Sequence, residues 1–140
     1  AGGASTTTIH NVAIGTCAFA VGTTSCNNVA IGRNAMGGGV VTGDGANVAI
    51  GKTVMDALTT GLCNVAIGTN ALGAATTACL NIAIGQLALG AGVLACGGAG
   101  QAEGNIAIGE SAMMGVTTGC RNIALGDGMM CSMTTGKYNV

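Results

Sequence analysis

Proline and tryptophan are absent from this chain of 140 residues, and tyrosine (Tyr138), phenylalanine (Phe19) and histidine (His10) occur once each. Charge is equally scarce, with four Lys or Arg and five Asp or Glu giving a formal net charge of -1. A nucleic-acid binder of the usual kind needs a basic face and often stacking aromatics, so that class is excluded. One histidine, placed before the first full repeat, leaves a catalytic triad without its base. No Cys-x-x-Cys pair exists, so zinc lacks its ligand spacing. No Asn-x-Ser/Thr acceptor is present, and the residues from Ala1 onward show no charged n-region or cleavage pattern. Disorder goes with high charge and low hydrophobicity, whereas 49% of this chain is apolar. Much of that apolar content is alanine, which predicts a thin interior rather than a jigsaw of large side chains.

What the chain has is a repeat. Asn-Val/Ile-Ala-Ile/Leu-Gly begins at Asn11, Asn28, Asn47, Asn64, Asn81, Asn105 and Asn122, and an eighth unit opens at Asn139. Successive asparagines stand 17, 19, 17, 17, 24, 17 and 17 positions apart, which defines a 17-residue unit with short insertions before Asn47 and Asn105. Threonine pairs recur later in the unit (Thr23-Thr24, Thr59-Thr60, Thr76-Thr77, Thr117-Thr118, Thr134-Thr135). Within the pentapeptide, large and small residues alternate with the period of two expected of a strand. Frequent glycines and the lack of a persistent apolar stripe at helical spacing argue against helices. The expected fold is all-β: a parallel β-roll or β-solenoid of about seven 17-residue rungs, with residues 1–140 forming a single repeat domain, one small domain or a slice of a longer one. Seven rungs at an inter-strand spacing of roughly 4.7–4.9 Å make a rod on the order of 34 Å long. Val, Ile, Leu and Met are expected inside. The Ala/Gly face is expected outside, flat enough for lateral packing of copies, with a homotrimer as the expected assembly.

The units Asn64-Val-Ala-Ile-Gly-Thr-Asn-Ala-Leu72 and Thr117-Thr-Gly119 through Asn122-Ile-Ala-Leu-Gly126 resemble the repeats of phage tail-fibre proteins, and the pattern is similar to the β-roll heads of trimeric autotransporter adhesins. The resemblance covers almost the whole chain. It implies a trimeric, left-handed parallel β-roll fibre exposed on a virion or cell surface. Two departures stand out: the 17-residue unit is longer than is usual for the adhesin heads, and seven cysteines are unusual for either family.

Several motifs suggest chemistry and are better explained by the repeat. Ala46-x-x-x-x-Gly51-Lys52-Thr53 fits a relaxed phosphate-loop pattern, but Asn47–Gly51 is the repeated strand and no helix is expected after it. Gly90-Ala-Gly92-Val-Leu-Ala95, with Glu110 about 20 residues on, resembles a dinucleotide-binding turn without the βαβ context. Glu110 and Asp127 share the sixth place of the unit on successive rungs, as a glycosidase pair would. Arg33 and Lys52 stack in the same column, which points to a solvated charged ladder. Asp44-Gly45 and Asp127-Gly128 do not recur at repeat spacing as a calcium-binding roll requires. Cys63 and Cys79 precede successive strands at a spacing that a bridge could span, although the expected role of the cysteines is as small apolar fillers. Ile82–Gly100 is long and apolar enough to suggest a membrane helix, but its strand repeat and glycines oppose that.

No catalytic, cofactor or metal residues are therefore assigned. The expected function is a structural fibre segment of a phage tail fibre or similar virion appendage, a stiff trimeric shaft or head for host attachment. Its partners would be copies of itself and, through the insertions at Gly37–Ala46 and Gly90–Gly104, a host-surface receptor or glycan; nucleic acid and membrane insertion are not expected. The alternatives are a bacterial adhesin head or self-assembling extracellular filament, and an ice-binding solenoid with stacked threonines.

Overall fold

The computed structural model describes residue 3 and residues 9–94 and 102–140. Seven three-residue strands follow one another: β1 Val12–Ile14, β2 Val29–Ile31, β3 Val48–Ile50, β4 Val65–Ile67, β5 Ile82–Ile84, β6 Ile106–Ile108 and β7 Ile123–Leu125. They form one parallel sheet in chain order. Each residue pairs with its repeat equivalent, as in Val48↔Val65, Ala49↔Ala66 and Ile50↔Ile67. Among the described residues there is no helix. The chain is the expected all-β, parallel solenoid built on the 17-residue unit, and the insertion before Asn105 leaves the pairing of β5 with β6 in register. The membrane-like stretch from Ile82 enters β5 and a turn, and the phosphate-loop-like stretch is β3 followed by a turn at Gly51–Ala57.

The rungs are also joined outside the sheet. At the first corner after each strand, the backbone N–H of Asn34, Thr53, Asn70 and Leu87 donates to the sixth-place carbonyl of the preceding rung at 2.9–3.0 Å. Two residues later the N–H of Phe19, Met36, Met55, Leu72, Leu89 and Met113 donates to the following rung at 2.9–3.1 Å. These second residues have φ between 49° and 52°. Bulky residues seldom adopt that left-handed geometry. Here inter-rung hydrogen bonds and burial hold it on these six turns.

The expected distribution of side chains is reversed. The strand alanines Ala30, Ala49, Ala66, Ala83, Ala107 and Ala124 are buried, whereas the flanking Val, Ile and Leu are half-buried or exposed. So short a turn leaves the sheet little depth behind it, and that depth is filled from the opposite wall by Phe19, Met36, Met55, Leu72, Leu89 and Met113. Large residues on one wall demand small ones on the other. The alanine face is therefore the lining of the rod, and it cannot be the lateral contact surface.

Beside the alanines runs a ladder of asparagines, with Asn28, Asn47, Asn64, Asn81, Asn105 and Asn122 fully buried. Every Oδ1 from Asn11 to Asn122 accepts the backbone N–H of the next asparagine at 2.8–3.1 Å. It also accepts the next asparagine's Nδ2 at 2.8–3.4 Å. The second Nδ2 hydrogen reaches a carbonyl 14 residues on in the regular units, for example Gly61 from Asn47 and Ala78 from Asn64, and 21 residues on, Ala102, from Asn81 across the longer insertion. At the two-residue insertion this branch changes partner, and Asn28 donates to Ser25 Oγ and Cys26 O instead. The glycine closing each strand has φ of 121–139° from Gly15 to Gly126, and from Gly15 to Gly109 an added Cβ would stand no farther than 2.7 Å from the next glycine's carbonyl oxygen.

Two outcomes test this account. Asn64→Ala removes the acceptor of the Asn81 N–H and one of the two donors to Asn47 Oδ1, and is expected to lower unfolding stability by about 1–3 kcal/mol in urea titration. Gly68→Ala combines a φ of 132° with a backbone overlap at 2.5 Å and is expected to cost roughly 2–6 kcal/mol. Gly43→Ala, with φ of 82° and open space around it, is expected to cost only about 1–2 kcal/mol. Equal losses at the two glycines would overturn the steric reading.

Candidate interaction face

The strand alternates through the rod wall, so four places of each unit point outward together. They are the residue before the asparagine, the Val/Ile at the second place, the Ile/Leu at the fourth, and the polar residue at the sixth. The middle two form an aliphatic double column over all seven strands. Its exposure is 44% at Val12, 57% at Ile14, 36% at Ile67, 39% at Ile108 and 62% at Leu125. Leu80, in the column before the asparagines, extends the apolar strip with 58% exposure. An aliphatic stripe along the strands of a whole face is more apolar than the surface of an ordinary soluble protein.

The sixth-place column holds Thr16, Arg33, Lys52, Thr69, Gln86, Glu110 and Asp127, exposed apart from a half-buried Thr69. This is the expected polar outward column. Glu110 and Asp127 are both exposed in it, on successive rungs. His10 lies in the opposite column, before Asn11, and is exposed. The insertion at Gly37–Ala46 lies against the rod, with Gly38 and Gly39 N–H donating to Asp56 O at 3.1 and 2.6 Å. The insertion at Gly90–Gly104 falls partly outside the described residues; Gly90–Leu94 carries a bend, and Ala91 and Gly92 N–H donate to Met114 O at 3.1 and 3.0 Å.

The cysteines do not behave as a set of fillers. Cys17 and Cys63 are free and exposed, Cys26 and Cys131 free and half-buried, and Cys120 free and buried. Cys79 is disulfide-bonded, but not to Cys63, which is free. Being placed in turns and at rung edges, most thiols lie outside the narrow lumen, which alanine, methionine and leucine already fill.

Asp44 forms no calcium-like array with Gly45; it joins two rungs. Its Oδ1 accepts Asn27 Nδ2 at 2.7 Å and Cys26 Sγ at 3.4 Å. The Asn27 hydrogen bond, then that of Cys26, holds the Asp44 carboxyl below its usual range against a small opposing desolvation. Desolvation, followed by the hydrogen bond and charge of Asp44, pushes the Cys26 thiol up. At the other end, Arg121 Nη1 donates to Tyr138 Oη at 2.8 Å with its guanidinium 5.7 Å from the ring centre, and Nη2 meets Glu103 Oε1 at 3.5 Å. Tyr138 and Glu103 raise the affinity of Arg121 for its proton, Tyr138 foremost. Neither cluster was legible from the linear motif, because its members come together only through the stacking of rungs. Among the described residues there is no group of three His, Cys, Asp or Glu able to hold a metal ion, no pocket, and no helix long and apolar enough to cross a membrane.

No protein-family model, no curated protein and no solved structure matches the chain.

The lowered carboxyl of Asp44 sets the sign of a pH effect. A depressed folded-state value stabilises the fold above the ordinary carboxylate pKa, and that contribution is lost as pH falls through the folded value. The melting-temperature gap between wild type and Asp44→Asn is therefore expected to be constant above about pH 5 and to close below about pH 4. A gap that is unchanged down to pH 2 would show that the Asn27 and Cys26 contacts do not depend on the charge.

Proposed function

We propose that the chain is a structural fibre segment, of the kind a virion tail fibre or similar appendage uses for host attachment, that acts as a stiff rod and assembles through its aliphatic face. The observation that carries this reading is the double column of Val, Ile and Leu left outward on every strand from β1 to β7. An exposed apolar stripe is stabilised by a cover, and the repeat of the face at every rung suits another copy of the same repeat. Its role is mechanical: rung-to-rung hydrogen bonds give axial stiffness, and no residue is assigned to catalysis. The location that goes with this reading is the virion, or in the adhesin-like alternative the cell surface.

Other readings are less well supported. An ice-binding face needs a flat array of available hydroxyls, yet Thr59 and Thr117 donate theirs to the carbonyls of Thr76 and Thr134 at 3.0 and 3.2 Å. The flat outward ladder is aliphatic.

Light scattering under native conditions, with and without reductant, tests the reading. The expected result is a particle of three chains, three times the 13.2 kDa of one, that survives reduction. Ile67→Lys with Ile84→Lys, which place two charges in the middle of the stripe, are expected to shift it to monomer. A wild-type monomer at all concentrations would overturn lateral assembly, and with it the fibre reading.

A further inference from the structure

Two of the four basic residues of the chain, Arg33 and Lys52, stand in the sixth place of successive rungs, two residues beyond the paired Ile31 and Ile50. Their backbones are therefore about 4.8 Å apart, and both side chains are exposed. Like charges directly opposite on neighbouring strands oppose the pairing, and no group of the chain offsets these two. Arg121 is met by Glu103 and Tyr138, whereas among the described residues Arg33 and Lys52 meet no carboxylate and no other side chain. Thr16 and Thr69, next to them in the column, are neutral. Glu110 follows three rungs after Lys52, about 14 Å away, which exceeds the ~8 Å Debye length at physiological salt. Asp44 is held by Asn27 and Cys26 on the opposite edge of the face, and Asp56, on the rung of Lys52, forms no ion pair with it.

The corner that carries the two cations is fixed and rich in donors. The Arg33 carbonyl accepts the Thr53 N–H at 2.9 Å, and the Lys52 carbonyl accepts the Asn70 N–H at 3.0 Å. The Thr53 hydroxyl donates to the Lys52 carbonyl at 2.7 Å and also meets Asn70 Oδ1. These bonds hold the roots of both cations at the rung spacing. Asn34 and Asn70, half-buried in the seventh place, keep the hydrogens of their Nδ2 groups unshared, since the Asn34 amide meets no side chain and Asn70 uses only its Oδ1. A guanidinium, an ammonium and two amide donors thus share one corner.

We propose that Arg33 and Lys52 bind a dianionic phosphate group between them, with the Asn34 and Asn70 amides as supporting donors. A phosphate monoester carries close to two negative charges above its second pKa of about 6, which matches two cations. A carboxylate or a sulfate ester carries one and leaves a cation unmatched. Arginine supplies a planar fork for two phosphate oxygens and lysine a mobile point charge, and both stems are long enough to converge on one group from adjacent rungs. Glu110 and Asp127 at the far end of the column repel a polyanion laid along it, so the ligand is a single compact group. The mode is not that of a phosphate loop, because the backbone N–H of Thr53 that would cradle the anion is spent on Arg33. The site lies at the margin of the outward face and does not depend on whether rods assemble through the aliphatic columns.

The test is titration of the isotopically labelled chain, in whatever assembly it forms, with glucose 6-phosphate, inorganic phosphate and methyl sulfate at low salt, read by amide NMR shifts. Both phosphates are expected to shift the amides of Asn34, Thr53 and Asn70 saturably, and methyl sulfate to bind several-fold more weakly at pH 7.5. Tighter binding of glucose 6-phosphate than of inorganic phosphate would assign a sugar-borne group, and equal binding a free one; each supports the site. Glucose 6-phosphate is expected to bind several-fold more tightly at pH 7.5 than at pH 5, as its dianion forms, while methyl sulfate, whose charge does not change, controls for protein groups titrating in that window. Arg33→Gln and Lys52→Gln are each expected to weaken glucose 6-phosphate about threefold to tenfold, without lowering the melting temperature, because each removes a like-charge contact. Equal binding of methyl sulfate and glucose 6-phosphate at pH 7.5 overturns the phosphate assignment. Absence of saturable shifts, or shifts that survive in the double variant, overturns the site and leaves lateral assembly untouched.

Discussion

The asparagine ladder is the constraint from which the remaining structure follows. A buried amide with an unmet donor or acceptor is costly, and Asn64 escapes that cost through the asparagine before it, the asparagine after it and the carbonyl of Ala78. Each member is thus satisfied by its neighbours and by nothing else of its kind. That condition forces in-register stacking, and in-register stacking then puts alanine on alanine and glycine on glycine. The glycine column is the steric counterpart of the ladder. With a Cβ excluded at Gly32, Gly51 and Gly68 by the next rung's carbonyl, the backbones can approach at the spacing the asparagines require.

The same constraint explains why bulky residues are tolerated in left-handed backbone geometry. An isolated Met or Leu at φ near 50° would be strained. In this rod the amide of Met55 reaches the carbonyl of Ala71 and that of Leu72 reaches Ala88, while the side chains of both are the principal filling of the lumen. The strain, the hydrogen bond and the burial are supplied at one residue per turn. Stability is accordingly distributed along the rod as rung and rung-to-rung contributions, and a local defect weakens its two neighbours more than the distant rungs.

Strand positions, their parallel order and the unit length were legible from the recurrence of Asn-Val-Ala-Ile-Gly, because a short motif that returns at so regular an interval can satisfy its backbone only by stacking. The outward sixth column was legible as well, since Arg33, Lys52, Glu110 and Asp127 share no chemistry except solubility. The direction of the strand's two faces was not. Alternation tells that Val48 and Ala49 point opposite ways, but not which way is inward. The usual preference for burying the larger residue fails here because Met55 and its equivalents on the facing wall already occupy the interior. The cysteine reading failed for a related reason: small and apolar are necessary for the lumen but do not place Cys17 or Cys63 on a lumen-facing position. The Asp44–Asn27–Cys26 and Arg121–Tyr138–Glu103 clusters required the stacking itself, being formed between residues about one repeat apart.

Among the described residues this thin solenoid has no concave site, since its lumen is filled by large side chains such as Met55 and Leu58, or Leu89 and Leu94, on successive turns. What such a rod can offer a partner is length, flatness and a pattern of columns. The chain uses these in a specific way. The outward columns nearest the sheet centre are aliphatic, and the charges of the outward face stand at its margins, where solvent still reaches them. A charge in the central columns would have to be stripped of water on any lateral contact, at a cost that one opposing charge does not reliably offset. At the margins a charge keeps most of its hydration and would contribute little to the affinity of a lateral contact. Aliphatic columns that repeat at every rung would allow neighbouring rods to slide by one rung or to reverse. The sixth-place column does not repeat, with Arg33 and Lys52 on early rungs and Glu110 and Asp127 on late ones, so it is the part of the outward face that distinguishes one rung from another.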